Sequence, residues 1–213
     1  RVPAASFDNG SWDNCSAVTL KVARMNPDCN GDNDPQTSER DYIDFYCCDV
    51  GPNNSIPIRL FVYDAVGNKS ECMVQIKIQD KTMPILVIPP DMWVPCEFNY
   101  NKDDLGSTFG YVLTDGSTRR QGNIYTDDHG GTINTYIDGY ATDNCGVDIN
   151  EEVKYNFDDC GAGTITRKFT ATDPWGNTVT HTQVIHFFKT PLNLHAGSYF
   201  IAPRDTMIVN GTC

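Results

Sequence analysis

The chain has 213 residues, 39% of them hydrophobic, enough for one large or two ordinary packed domains and too many for a disordered tail. Its formal charge is −12 with no basic run, so the phosphate neutralisation that nucleic-acid binding needs is missing, and an anionic membrane surface is a poor partner for the same reason. No apolar run approaches the roughly 20 residues that span a bilayer, so the chain reads as not membrane-embedded, and it opens without a signal peptide, as a mature segment would.

Nine cysteines, with no C-x-x-C pair and no histidines at zinc spacing, point to disulfides and an oxidising, extracellular location. Along the chain the first marker is Asp13-Asn14-Cys15-Ser16, which returns as Asp143-Asn144-Cys145-Gly146. Next come strand signals: Ile58, Leu60 and Val62 alternate with Arg59, Phe61 and Tyr63, and Val74, Ile76 and Ile78 alternate with Gln75, Lys77 and Gln79. Between them lies Asp64-Ala65-Val66-Gly67-Asn68, a turn whose Gly and Asn tolerate the positive φ of a hairpin. It returns as Asp173-Pro174-Trp175-Gly176-Asn177, between a strand bearing Ile165, Phe169 and Ala171 and a β-branched, aromatic run from Thr178 to Phe188.

Lys81-Thr82-Met83-Pro84 and Lys189-Thr190-Pro191 read as short joints, because proline does not continue a central strand. The segment from Pro89 to Cys96 is echoed by Ala202 to Val209. The expectation is therefore two all-β sandwich modules, 1–82 and 83–189, followed by the start of a third at 190–213. The interval from Asp13 to Asp64 is 51 residues and that from Asp143 to Asp173 is 30, which places an insertion at about 26–46 in the first module. The second module carries its own long stretch, 97–140, rich in Gly, Asn, Asp and Thr; it reads either as a binding loop or as a decorated edge.

The order Asp-Asn-Cys, Asp-x-x-Gly-Asn, "CMVQIKIQDKTMP", Pro-Pro-Asp and a further Cys resembles hyalin-type repeats of immunoglobulin-like fold. With "CEFNYNKDDLGSTFGYVLTD" and "DGYATDNCG" it is similar to SprB-type gliding-motility adhesin repeats of Bacteroidetes. What the resemblance implies is type IX secretion, residence on the outer bacterial cell surface and a mechanical, adhesive role. Its expected partners are neighbouring repeats of the same chain and a surface polysaccharide, and the fragment itself is expected to be monomeric. Cys72 has no counterpart after the second turn, where His181 and Thr182 stand, which leaves Cys96 without its usual partner in that pattern.

Cys145 and Cys160 flank one strand-turn segment, and closing a loop of about 15 residues stabilises by roughly 3 kcal/mol. Cys15, Cys29, Cys47 and Cys48 are expected to form two bridges, with Cys29 tied to one of the adjacent pair; four cysteines allow three connectivities, and Cys213 is left over.

Calcium is the expected cofactor. Asp28, Asn30, Asp32, Asp34 and Glu39 fall at positions one, three, five, seven and twelve of a loop, the spacing that wraps hard oxygen ligands around that ion; a solvated acidic turn is the alternative. A second constellation follows from topology, which sets Asp143, Asn144 and Asp148 at the same end as Asp173 and Asn177, and repeats it with Asp13, Asn14, Asp64 and Asn68. Asx-turn capping of backbone groups competes with metal binding there. Trp175 is the candidate sugar-stacking residue, although turn aromatics also cover joints. Four scattered histidines and the lack of any nucleophile elbow, zinc helix or phosphate loop argue against an enzyme. The competing function is a carbohydrate-binding accessory module of a secreted polysaccharide-degrading enzyme.

Overall fold

The computed structural model describes residues 1–51, 53–159 and 161–189, so the third module expected from 190 onward lies outside them. The chain is all-β and divides into two units, Arg1–Lys81 and Thr82–Cys213. In the first unit the strands are β1 (Val2–Pro3), β2 (Thr19–Arg24), β3 (Tyr42–Ile43), β4 (Ile56–Tyr63) and β5 (Lys69–Ile76). The order β2-β4-β5 forms an antiparallel sheet, and β1 pairs antiparallel with β3. Period-2 alternation sends Ile58 and Leu60 inward with Val22, against Ala4 and Ile43 from the β1–β3 region. Phe61 faces the other way and is still buried, because the Lys69 ammonium lies 4.1 Å above its ring and Arg59 covers it as well.

The end of β2 holds a buried ion pair. Arg24 grips Asp49 through Nη1 to Oδ1 at 3.0 Å and Nη2 to Oδ2 at 2.5 Å, with both side chains almost wholly buried. Asp49 also accepts from the Tyr46 backbone N–H, so the short turn at Cys47–Asp49 is locked to β2.

The second unit contains β6 (Ile85–Val87), β7 (Met92–Pro95), helix α1 (Leu105–Phe109), β8 (Val112–Leu113), β9 (Gln121–Tyr125), β10 (Thr132–Tyr136), β11 (Gly139–Thr142), β12 (Asp148–Phe157), β13 (Gly163–Thr172) and β14 (Thr178–Phe188). A four-stranded sheet, β12-β13-β14-β7, packs on a three-stranded one, β6-β11-β8, through Phe169 and Ala171 against Leu86 and Ala141. A second cluster joins Ile165, Ile185 and Phe187 to Leu105, Phe109 and Ile124.

The 97–140 stretch is in part core, while its β9–β10 hairpin is largely exposed. The stretch supplies Leu105, Phe109 and Ile124 to the core, and its glycines mark close packing instead of slack. A Cβ at Gly139 would fall 2.1 Å from the Val87 carbonyl oxygen, and one at Gly110, which has φ +98°, would fall 2.1 Å from that of Ile137. Asp138 knits the stretch together. Its buried carboxylate accepts from the Tyr111 and Arg120 backbone N–H groups and from the Arg120 guanidinium, which also caps the Gly106 and Ser107 carbonyls of α1.

On β13 the inward position between Ile165 and Phe169 is Arg167, only 1% exposed. Its guanidinium reaches Glu151 on β12 at 2.6 Å, Gln183 on β14 at 2.9 Å and the Gly110 carbonyl at 2.9 Å. Gln183 in turn donates to the Pro90 and Phe109 carbonyls. Removing this hub leaves several buried acceptors unpaired, so Arg167→Ala is expected to lower the unfolding free energy by about 3 kcal/mol in urea titration. Arg167→Lys recovers little of it, because an ammonium cannot reach three acceptors in one plane. An alanine variant within about 0.5 kcal/mol of the parent would show that the network does not hold the unit.

Burial acts to raise the Asp138 pKa, but the Arg120 guanidinium and two backbone N–H groups outweigh it and hold the carboxyl at about 2. A carboxylate depressed in the folded state stabilises above its unfolded pKa and loses that contribution as pH falls through the folded value. The second unit is thus expected to lose about 2 kcal/mol between roughly pH 5 and pH 2 from this group alone. Comparing Asp138→Asn with the parent across that window checks it, since the variant's stability lacks this part of the slope; identical slopes would remove Asp138 from the account.

Candidate functional site

The acidic insertion folds as a chain of local turns. Asn30 Oδ1 accepts from the Asp32 N–H, and Asp32 Oδ1 accepts from the Asp34 N–H at 2.7 Å. Asp28 is taken by the Gln36 amide at 2.6 Å. Gln36 is buried at φ 56° and also exchanges hydrogen bonds with the Asp44 backbone. Asp34 forms a two-pronged pair with Arg40, and Glu39 is held by Lys69 and Tyr63. The hydrogen bonds from Arg40 depress the Asp34 pKa, and those from Lys69 and Tyr63 depress that of Glu39.

The five groups at Asp28, Asn30, Asp32, Asp34 and Glu39 are thus not brought together as one ligand set. No three of the loop's carboxylates come within 4.8 Å of one another. Asp28, Asp32, Asp34 and Glu39 in one short loop would repel one another if left unpaired. Lys69, distant in the chain, and Arg40, just beyond the loop, relieve that repulsion without a cation.

The hairpin turns are alike in both units. Asp64 Oδ1 accepts from the Val66 and Asn68 N–H groups and its Oδ2 from the Asn68 amide; Asp173 does the same with Trp175 and Asn177. Gly67 and Gly176 stand at φ +93° and +89°. Burial works to raise both aspartate pKa values, and the amide and backbone hydrogen bonds bring them below the usual range.

The Asp-Asn-Cys loops adjoin these turns. Asp13 accepts from the Cys15 and Ser16 N–H groups, and Ser16 Oγ accepts from the Ala65 N–H at 3.1 Å. Asp143 accepts from the Cys145 N–H, and its carboxylate lies within 4.8 Å of that of Asp173. One Asp143 oxygen is buried without a hydrogen-bond partner. Asp148 starts β12 exposed, and Asn144 is exposed in the loop.

Cys29 is bridged to Cys48, closing 19 residues of chain. Cys47 and Cys145 are also disulfide-bonded, while Cys160, expected opposite Cys145, lies outside the described residues. Cys15 is corrected from bridged to free, and Cys72 is free as well; both are exposed thiols. The adjacent pair leaves Cys15 no sulfur, since Cys48 bonds Cys29 and Cys47 is disulfide-bonded as well.

Trp175 is half-buried, with its indole N–H buried and without a hydrogen-bond partner, so it is not the open platform that its turn position suggests. Trp93 stacks on His186 at 4.3 Å. Trp12 is the exposed indole, at 80%. Nothing in the sequence distinguishes it, since the two Asp-anchored turns that present it depend on hydroxyl and backbone geometry. The other histidines are dispersed: His129 and His181 are exposed on separate elements, and His195 lies outside the described residues. No protein-family model matches the chain, and no curated protein matches it either.

Because the insertion's acids are paired with Arg40, Lys69 and Gln36, calcium and chelator are expected to leave the melting of the first unit unchanged. Asp34→Ala and Glu39→Ala should each lower its melting temperature, by less at high salt. Scanning calorimetry with and without chelator checks both; a chelator-dependent melt abolished by Asp32→Ala would restore the cation.

Proposed function

We propose that the chain is a structural and adhesive segment of an extracellular protein, made of immunoglobulin-like, hyalin-repeat-like modules in tandem. The observation that carries this reading is the same Asp-x-x-Gly-Asn hairpin, with the same hydrogen bonds, next to an Asp-Asn-Cys loop in each of two separate units. A repeated hairpin of this kind serves length and stiffness, because each copy stabilises its own unit without a ligand. The disulfides support an exported, oxidising setting. Together with the resemblance to gliding-motility adhesin repeats, they support residence on the outer bacterial surface, where the segment grips a substratum and performs no chemistry.

Beads coated with the chain are expected to stay on glass under flow that removes albumin-coated beads. Release at the same shear would overturn the adhesive reading. The brace is tested separately: Cys48→Ser should cost the first unit about 3 kcal/mol by loss of the closed loop, read as a lower melting temperature under oxidising conditions. An unchanged melt would mean that the Cys29–Cys48 bridge is not the brace.

A further inference from the structure

Trp12 stands between two hollows on one face of the β2-β4-β5 sheet. The larger, about 630 Å3, has Leu60, Val62 and Val74 as its apolar floor, with Asn9 and Ser70 on its rim. The smaller, about 200 Å3, lies over Val18 and Val62, with Asn68 and Lys69 on its rim. Trp12, Val62 and Ser70 border both, so the two hollows form one groove crossed by the indole. Their combined size falls in the range of small-ligand clefts.

The indole is exposed yet its backbone is ordered from both sides. Before it, Asp8 accepts from the Gly10 and Ser11 N–H groups and from Ser11 Oγ; after it, Asp13 holds Cys15 and Ser16. Binding there loses little conformational entropy, which is the condition for an exposed aromatic to act as a stacking platform.

The groove's chemistry selects the partner. A sugar ring offers an apolar C–H face to an indole and hydroxyls to a rim of amide and hydroxyl groups, and a linear glycan places further rings on either side of the stacked one. Charge excludes acidic glycans: Asp8, Asp13 and Asp64 surround the groove, its one lysine is already paired with Glu39, and the chain carries −12.

We propose that the Trp12 groove of the first unit binds a neutral polysaccharide, with one ring stacked on the indole and its neighbours in the two hollows. This rests on the adhesive reading and names the contact through which it works. The test is affinity electrophoresis of the 213-residue chain through gels containing hydroxyethyl cellulose, dextran, galactomannan or alginate. Retardation is expected in at least one neutral gel and not in alginate. Trp12→Ala should weaken it about tenfold or more, and Tyr125→Ala, an exposed aromatic on the second unit, should leave it intact. Since Trp12 is exposed, its variant should melt with the parent, so lost binding is not lost folding. Passage through every neutral gel unretarded, retardation by alginate alone, or undiminished retardation of Trp12→Ala would each overturn the proposal. Bead retention on glass separates the two readings: if retention persists while these results fail, the groove is wrong and the adhesive reading stands, and if retention is lost the adhesive reading itself fails.

Discussion

The second unit depends on one arginine placed where a hydrophobic residue is the ordinary choice. Arg167 faces inward between Ile165 and Phe169, and its guanidinium lies 4.8 Å from the Phe169 ring. A buried cation needs acceptors for its donors, and here they reach β12, β14 and the chain just after α1. Gln183, opposite Arg167 in the β13–β14 register, extends the same network to Pro90 and Phe109. Three pieces of chain far apart in sequence are thereby held in one arrangement, and apolar packing of Phe109 and Leu105 fills the space beside them.

The first unit solves the same problem with Arg24 and Asp49, beside the Cys29–Cys48 bridge. Cys29 Sγ sits 3.4 Å from Asp49 Oδ1, so the covalent tie and the ion pair meet at one point. A buried pair of this kind contributes less to stability than its Coulomb energy suggests, because both ions lose water. What it supplies is position: the turn after Tyr46 can sit in only one way on β2.

An acidic chain invites a reading in terms of cations. In this protein the carboxylates mostly hold the chain itself. Asp8, Asp13, Asp64, Asp127 and Asp173 each accept backbone N–H groups within four residues, and Asp34, Glu39 and Asp138 take arginine or lysine partners. Turns ordered in this way are rigid without being buried, which is what places Trp12 firmly at the surface.

Local chemistry was legible in the sequence. The alternation around Ile58–Val62 and Ile165–Ala171, and the Asp-x-x-Gly-Asn turns between strands, follow from side-chain period and from the φ that glycine allows, so the β4–β5 and β13–β14 hairpins could be read directly. The role of 97–140 could not be read. Leu105 and Phe109 share a single helical turn, too short to stand out, Ile124 lies on a separate strand, and the glycines look like loop residues until Val87 and Ile137 are seen beside them. The same holds in the acidic insertion. Spacing reports which oxygens are near in the chain, whereas the pairing of Glu39 with Lys69 and Tyr63 and the closure of Cys29 on Cys48 are set by how β2, β4 and β5 stack. Sequence alone determined the period and the turns, because these act between near neighbours. Tertiary structure decided which charges are neutralised, which thiols meet and which tryptophan faces solvent, because each depends on residues that only the fold makes adjacent.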